Sequence, residues 1–544
     1  LIPCLLSHGD NMTFYYPLPQ SKQTTIKYDC EKCGLYSNTK LETPFFEPII
    51  GENYNGLVIL GQQPSKDDDF KSIPFSNKRA QLVRATAFKN GVNLKKVSAF
   101  VYALQCHSGK KTTDVQYRCC RERLKTQLEE LKPKMVICCG EMAFKSLFDL
   151  KNKIPPTKLR GRLIPNFEFN CIVFTLLNPN DVYSFDRQYS IKLDIKRALK
   201  FWVKYNKRKS VNQLLEERKI LKDTHIMEIT NPGELEGLFY CIGKMKRIAL
   251  DYETTNVKPY DKYFEITHIQ FGNANNGWVI NESLWKNYPV WKLIKEFMRH
   301  FLTDPSIEKI IQNVKFEENC SRWVFGIDKI INTQDPMLAT HVIDERRGCT
   351  SLDFQNLIRF GIPPYSDTVK SFLKKKNKDD KRNRIRQAPY DDMITYAGLD
   401  VITTFHNWLF IEKILPIAYP QANFDYQFLH RGHQLFSNMT HKGINAGNDE
   451  LEEIETTLVN HMEDVLTRIT QIPEFIEYNK YLEDKTNLKS TSNKQLKTLS
   501  IKMKGESRWR KTWKFTNVRL VAISWRSYTA VTESSSVAEK PCRK

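Results

Sequence analysis

At 544 residues the chain is longer than one core usually organises, so two or three domains are expected. With 41% hydrophobic and 27% charged residues, and no apolar run near the roughly 18 residues of a membrane span, it reads as globular and not as membrane-embedded. A formal charge of +21 points to a polyanionic partner, nucleic acid first, with a basic surface kept for solubility as the alternative; 13 cysteines, an odd number without a secretory signal, argue against a disulfide framework and for an intracellular protein.

Taken in order, residues 1–24 form an irregular lead. Leu1–Asp10 is apolar but has no basic flank or small-residue cleavage site, so it is not read as a signal peptide, and Met12 is a candidate start. Residues 25–205 alternate buried-strand runs (Gly56–Gly61, Lys134–Gly140, Cys171–Leu177) with helical ones such as Leu124–Leu131, which predicts an α/β/α sandwich around a parallel sheet. Residues 206–224 are lysine-rich and read as an interdomain helix or linker. Residues 225–426 open with a strand at Arg247–Asp251 and a second β signal at Ile266–Val279, then turn helical, so a second α/β domain is expected. Within them Lys374–Arg386 is either a solvated loop or a phosphate-contacting arm. Residues 427–500 look helical, and the tail from Ile501 to Lys544, with Trp509, Trp513 and Trp525 among scattered Arg and Ser, suggests a frameshift or fusion.

Cys30-x-x-Cys33 has a metal-ligand spacing, and Cys106 and Cys120 follow. Four thiolates hold zinc or an iron–sulfur cluster, and spacing alone does not choose; Cys106 and Cys120 also suit an apolar core. With Gly61–Asp69 (GQQPSKDDD), Phe75 and the run from Cys120 through Lys134-Met135-Val136-Ile137, this stretch resembles the iron–sulfur uracil-DNA glycosylases of family 4, over about Asp29 to Arg187. The resemblance implies a 4Fe-4S cluster on Cys30, Cys33, Cys106 and Cys120, with Cys119 competing for the last place. It also departs from the family. Gln62 and Pro64 stand in the water-activating loop where an acid usually follows the glycine, Asn178-Pro179-Asn180 replaces a His-Pro motif, and the uracil-reading Asn falls near Tyr102. Phe75 stands where a base-stacking aromatic belongs. A DNA-binding, glycosylase-like module is therefore favoured over an active glycosylase.

Asp251-Tyr252-Glu253 puts two carboxylates on one strand face, where they repel unless hard cations such as Mg²⁺ or Mn²⁺ sit between them. Tyr396 and Asp400 share a helix face at i, i+4. With Gln312–Glu317 (QNVKFE) and Gln334–Leu338 (QDPML) between, the set resembles DEDD exonucleases with a tyrosine in the third motif, closest to the proofreading domains of bacterial and phage family-A DNA polymerases. That resemblance, over about Ile226 to Leu415, implies a ribonuclease H-like fold and two metals. Asp251 would bridge both, Glu253 and Asp400 would hold the one that activates water, Glu317 would help the other, and Tyr396 would orient the nucleophile. Glu317 stands where the family usually has Asp, with Glu318 beside it. Contacts to nucleic acid are implied for Gln62, Pro64, Phe75, Asn178, Asn313 and Lys315.

Phe428–Gly443 and Asn487–Leu499 resemble the start of a polymerase thumb, but no palm or finger motif follows. The expectation is an α/β multidomain 3′-5′ exonuclease acting on single-stranded DNA 3′ ends and primer-templates. It is read as the front part of a phage-type polymerase, with replication proteins as further partners and the nucleoid as its place. A non-catalytic module that recruits a polymerase, an exoribonuclease of the same fold, and an active glycosylase are the alternatives.

Overall fold

The computed structural model describes residues 30–35, 48–71, 73, 75–108, 112–181, 185–208, 211–286, 288–377, 379–443, 448–473 and 475–476. The lead, the second thumb-like stretch Asn487–Leu499 and the tail from Ile501 lie outside them. In the first region β1 (Ile49–Ile50), β2 (Leu57–Gly61), β3 (Ser98–Tyr102), β4 (Met135–Cys139), β5 (Leu163–Asn166) and β6 (Cys171–Leu176) form one sheet in the order β1-β3-β2-β4-β6-β5. The four central strands are parallel and wholly buried, as a sheet covered on both faces requires. The sheet is mixed, not purely parallel: β1 and β5 pair antiparallel at its edges, and the turn joining β5 to β6 is too short for a crossover.

The helices of this region are α1 (Cys30–Cys33), α2 (Lys66–Lys71), α3 (Lys78–Lys89), α4 (Leu94–Val97), α5 (Asp114–Leu131), α6 (Glu141–Leu147), α7 (Pro156–Leu159), α8 (Phe185–Arg208) and α9 (Val211–Glu216). One core lies under α5 and α6, another under α3 and α8, which gives three layers. Helix α5 starts ten residues before the apolar periodicity does, because Thr113 and Gln116 form a reciprocal capping box. In the charged stretch read as a linker, α9 buries Val211, Leu214 and Leu215 against β6.

The second sheet contains β7 (His225–Ile229), β8 (Arg247–Thr254), β9 (Ile266–Gly272), β10 (Asn276–Asn281), β11 (Glu308–Ile310) and β12 (Thr333–Gln334), in the order β12-β11-β8-β9-β10-β7. Strand β9 runs antiparallel to its neighbours and the other pairings are parallel, so this sheet too is mixed. The β signal at Ile266–Val279 is thus a hairpin of two strands. Helices α10 (Pro232–Ile242), α11 (Glu282–Trp285), α12 (Tyr288–Thr303), α13 (Val314–Phe325), α14 (Pro336–Ile343), α15 (Leu352–Phe360), α16 (Tyr390–Ala418) and α17 (Ala422–Lys442) complete it. Helix α16 lies hard against the sheet through glycines. A Cβ on Gly277 would meet the Gly398 carbonyl at 2.6 Å, and one on Gly398 would meet Ile226 at 2.5 Å.

The two sheets belong to one compact unit, residues 1–443. Cys349, Phe354, Leu357 and Ile358, which follow the second sheet in sequence, are buried in the core of the first. Arg162 pairs with Asp344 across this junction, and Arg346 donates to the carbonyls of Thr157 and Arg160 at 3.1 and 3.3 Å. The other unit carries α18 (Asn448–Thr470). Among the described residues no helix is long and apolar enough to cross a membrane.

Candidate active site

Strand β8 is central in its sheet, and its alternation turns Asp251 and Glu253 to one face. Helix α16 crosses that face and brings Asp400 in. Asp251, Glu253 and Asp400 each offer a carboxylate oxygen within 4.8 Å of the others. From the neighbouring strand β11 the chain turns through Asn313 into α13, whose first turn carries Glu317, and the Glu317 and Asp251 carboxylates hydrogen-bond to each other. Glu253, Glu317 and Asp400 are buried, while Asp251 keeps some exposure. Among the described residues no basic side chain is paired with any of the four.

Four acids in so little solvent disfavour ionisation. Burial, relieved in part by its hydrogen bonds, pushes Asp251 up to about 6. Burial and then the Asp251 charge push Glu253, Glu317 and Asp400 well above the ordinary carboxylate range. Tyr396, one turn before Asp400, hydrogen-bonds toward Glu253 and Asp400 and favours their anions. The Glu317 Oε2 atom is buried without a hydrogen-bond partner. A hard divalent cation fits this donor set: all oxygen, all acidic, mutually repelling, with one buried oxygen unbonded.

Two supporting residues were given no role in the sequence reading, although Asp335 stands in one of its motifs. The Tyr365 hydroxyl donates to Asp400 Oδ1 at 2.6 Å and lies 3.0 Å from Thr403 Oγ1. Asp335, inside the QDPML motif, is buried and caps two helices at once. Its carboxylate accepts the N–H groups of Asn313 (3.1 Å), Val314 (3.0 Å), Met337 (2.8 Å) and Leu338 (3.3 Å). It thereby holds Asn313 in its left-handed conformation (φ 68°) at the start of the helix that bears Glu317. Asn313 is exposed, and Lys315 lies 5.9 Å from the centroid of the Phe436 ring. Glu318 points away from the acids, into a buried pair with Arg322 at 3.1 Å.

In the first region α1 packs on α5, and Cys30, Cys33, Cys106 and Cys120 converge there. Burial first, then the neighbouring thiols, pushes Cys106 up to about 12. Cys120 rises to about 11, with burial again the larger cause and Cys33 and Cys30 adding to it. Cys119 also lies near Cys33 and is buried, whereas Cys120 is half-buried and packs against the core of this region. Four converging thiols suit a metal or an iron–sulfur cluster, which would draw them to thiolates.

The glycosylase-like pocket differs from expectation. Phe75 has no open stacking face. It is 4% exposed, and Tyr102 covers it at 4.9 Å between ring centroids and 7° between planes. The Tyr102 hydroxyl donates to Asp68 at 2.8 Å and accepts the Phe75 N–H at 2.8 Å. Gln62 accepts the Met142 N–H at 2.9 Å. Pro64 is buried, with its carbonyl 3.1 Å from His107 Nδ1, and Asn178 accepts the Asn180 N–H at 3.1 Å.

Residues 226–416 match the 3′-5′ exonuclease family model of the DNA polymerase A type, and residues 51–200 match that of the uracil DNA glycosylase superfamily. A type-4 uracil-DNA glycosylase of Archaeoglobus fulgidus is 27% identical over 124 residues, 22% of this chain and 59% of that relative, so the chain spans about three-fifths of its length. Among solved structures, Brucella melitensis NrnC bound to pGG aligns at 16% identity and a TM-score of 0.29, over 40% of this chain and 91% of that one. The catalytic core of RRP6 from Trypanosoma brucei aligns at 16% and 0.30, over 41% and 56%. Escherichia coli RNase D aligns at 18% and 0.27, over 38% and 50%.

Proposed function

We propose that the chain is a metal-dependent 3′-5′ exonuclease that trims single-stranded DNA ends, joined to a glycosylase-like module that holds DNA without excising a base. The observation that carries the reading is the set of four acids on β8, α13 and α16 with no basic partner among the described residues. Asp251, Glu253 and Asp400 would hold one Mg²⁺ or Mn²⁺, and Asp251 with Glu317 a second. Bound there, the two ions supply positive charge for the attacking and leaving oxygens of a phosphodiester. Tyr396, with its hydroxyl over the Glu253–Asp400 side, orients the water that attacks phosphorus. The bond to the 3′ oxygen breaks, that oxygen takes up a proton, and a nucleoside 5′-monophosphate leaves.

Two features support the holding role of the first module: Tyr102 occupies the stacking face of Phe75, and Gln62 stands where the family's acid would be. Cys30, Cys33, Cys106 and Cys120 are the proposed ligands of a 4Fe-4S cluster. Iron and sulfide in the purified chain, lost in Cys30→Ser, would bear this out, and stoichiometric zinc would overturn it. The two halves together suit a proofreading and damage-surveying part of a family-A-type replication or repair polymerase, working inside the cell with other replication proteins.

The deciding experiment is a gel assay of the full chain on a 3′-overhang DNA and a matched RNA, with Mg²⁺, with EDTA and with Asp251→Ala. Metal- and Asp251-dependent laddering of the DNA from its 3′ end is expected. Faster laddering of the RNA would move the substrate to RNA. Salt-sensitive binding with no hydrolysis of either strand would replace the enzyme by a binding module.

A further inference from the structure

A strand whose 3′ end lies at the carboxylates carries its remaining phosphates past them, where cationic side chains can hold it. One segment is tied down in that place. Asn383 donates its side-chain amide to the Thr254 carbonyl at 2.8 Å and its backbone N–H to the Thr255 carbonyl at 2.9 Å. Arg382 donates to the Tyr263 carbonyl at 3.1 Å, and the Asn256 side chain donates to the Lys381 carbonyl at 3.4 Å. The basic stretch Lys374–Arg386 is therefore fastened to the β8–β9 connection, starting one residue beyond Glu253.

Its arginines and lysines divide the roles. Arg382 pairs with Glu265 at 2.6 Å, Arg386 bridges Glu265 and Glu282 at 2.5 and 2.6 Å, and Arg384 donates to the Ser371 carbonyl at 2.7 Å. Lys374, Lys375, Lys376 and Lys381 are exposed, and among the described residues none of them has an ion pair or ring contact. Within the stretch the Asp380 carboxylate accepts the Asn377 N–H at 2.7 Å. Tyr260, on the connection to which the stretch is fastened, is 54% exposed and offers a ring for a base.

We propose that this lysine arm grips the phosphates of a single-stranded nucleic acid whose 3′ end lies at the carboxylates, with the arginines as its fasteners. The proposal deepens the exonuclease reading and rests on it for the position of the 3′ end. Binding is measured on the full chain carrying Asp251→Ala, with and without Lys374→Gln, Lys375→Gln, Lys376→Gln and Lys381→Gln together, using a labelled single-stranded oligonucleotide over a series of KCl concentrations. At roughly 0.7 per phosphate contact on single strands, the slope of log K against log salt should fall by about 3 when all four lysines are removed. The four Lys→Arg changes should keep it. In the hydrolytic chain the Gln set should raise KM about tenfold and leave kcat within about twofold. A slope change below about 1 with KM unmoved overturns the arm and leaves the exonuclease standing. A fallen slope in a chain whose parent hydrolyses nothing keeps the arm as a nucleic-acid grip and retires the exonuclease.

Discussion

The glycosylase-like pocket lies at the ends of β2 and β3 and the carboxylate site on the central strand β8, and the two differ in what surrounds their buried groups. Around Phe75 the ring face is filled by Tyr102, whose hydroxyl is bonded on both sides, to Asp68 and to the Phe75 N–H, while Gln63 Oε1 and Asp69 Oδ1 nearby are single buried acceptors without a partner. Around Asp251 four acids lie together with little solvent, one oxygen of Glu317 has no partner, and among the described residues no basic side chain is paired with them. Satisfied polar groups stabilise a fold, whereas a buried set of like charges costs stability and persists where a ligand completes it. By that measure the four acids are the group in this fold that a bound cation would complete.

The sharpest way to break this contrast is Asp251→Asn. It should lower exonuclease turnover by about a thousandfold or more, since several kcal/mol of electrostatic stabilisation are lost. It should also raise the melting temperature of the metal-free protein, because one of four repelling acids is gone. A variant that is inactive and also less stable would show that the acids hold the fold. In the other region Tyr102→Ala should cost about 3–5 kcal/mol, the range for a large aromatic removed from a core, and should release no uracil from a uracil-containing oligonucleotide. Uracil release by that variant would reveal an occluded glycosylase.

Smaller effects sharpen the comparison. Tyr365→Phe removes a bond to the Asp400 carboxylate of about 1.5–3 kcal/mol, so turnover should fall roughly ten- to a hundredfold and the Mn²⁺ concentration needed should rise, with KM for the strand unchanged. Smallest is a pH effect on stability. The folded pKa of Asp251, about 6, lies above the roughly 3.9 of an unfolded Asp, so in metal-free protein its penalty is absent below about 3.9, grows as pH rises from there to 6, and is fully present above 6. The rise in melting temperature on adding Mg²⁺ should therefore be larger at pH 8 than at pH 5, and a pH-independent rise would place the ion elsewhere.

Much of the architecture is legible in local pattern. Leu57–Gly61, Met135–Cys139 and Cys171–Leu176 are short apolar runs that only a doubly covered sheet accommodates. The antiparallel edges were not legible, because direction depends on how a connection returns and not on the composition of β1 or β5. Asp251 and Glu253 share a face by the period of a strand, and Tyr396 and Asp400 by the turn of a helix, so each pair can be read from spacing alone. Their meeting depends on Gly272, Gly277 and Gly398, which let α16 approach the sheet. Asp335 before Pro336 is legible as the cap of α14, but its bonds to Asn313 and Val314, 22 and 21 residues away, are not, and nothing local marks Tyr365, which lies 35 residues from Asp400. Phe75 in sequence looks ready to stack a base; only the packed core shows that Tyr102 is already there. The sequence by itself determined which residues pair along one strand or one helix, since backbone geometry fixes those spacings. Which of them meet across the fold, and which are already satisfied, was decided by tertiary packing, since burial and partnership depend on atoms distant in the chain.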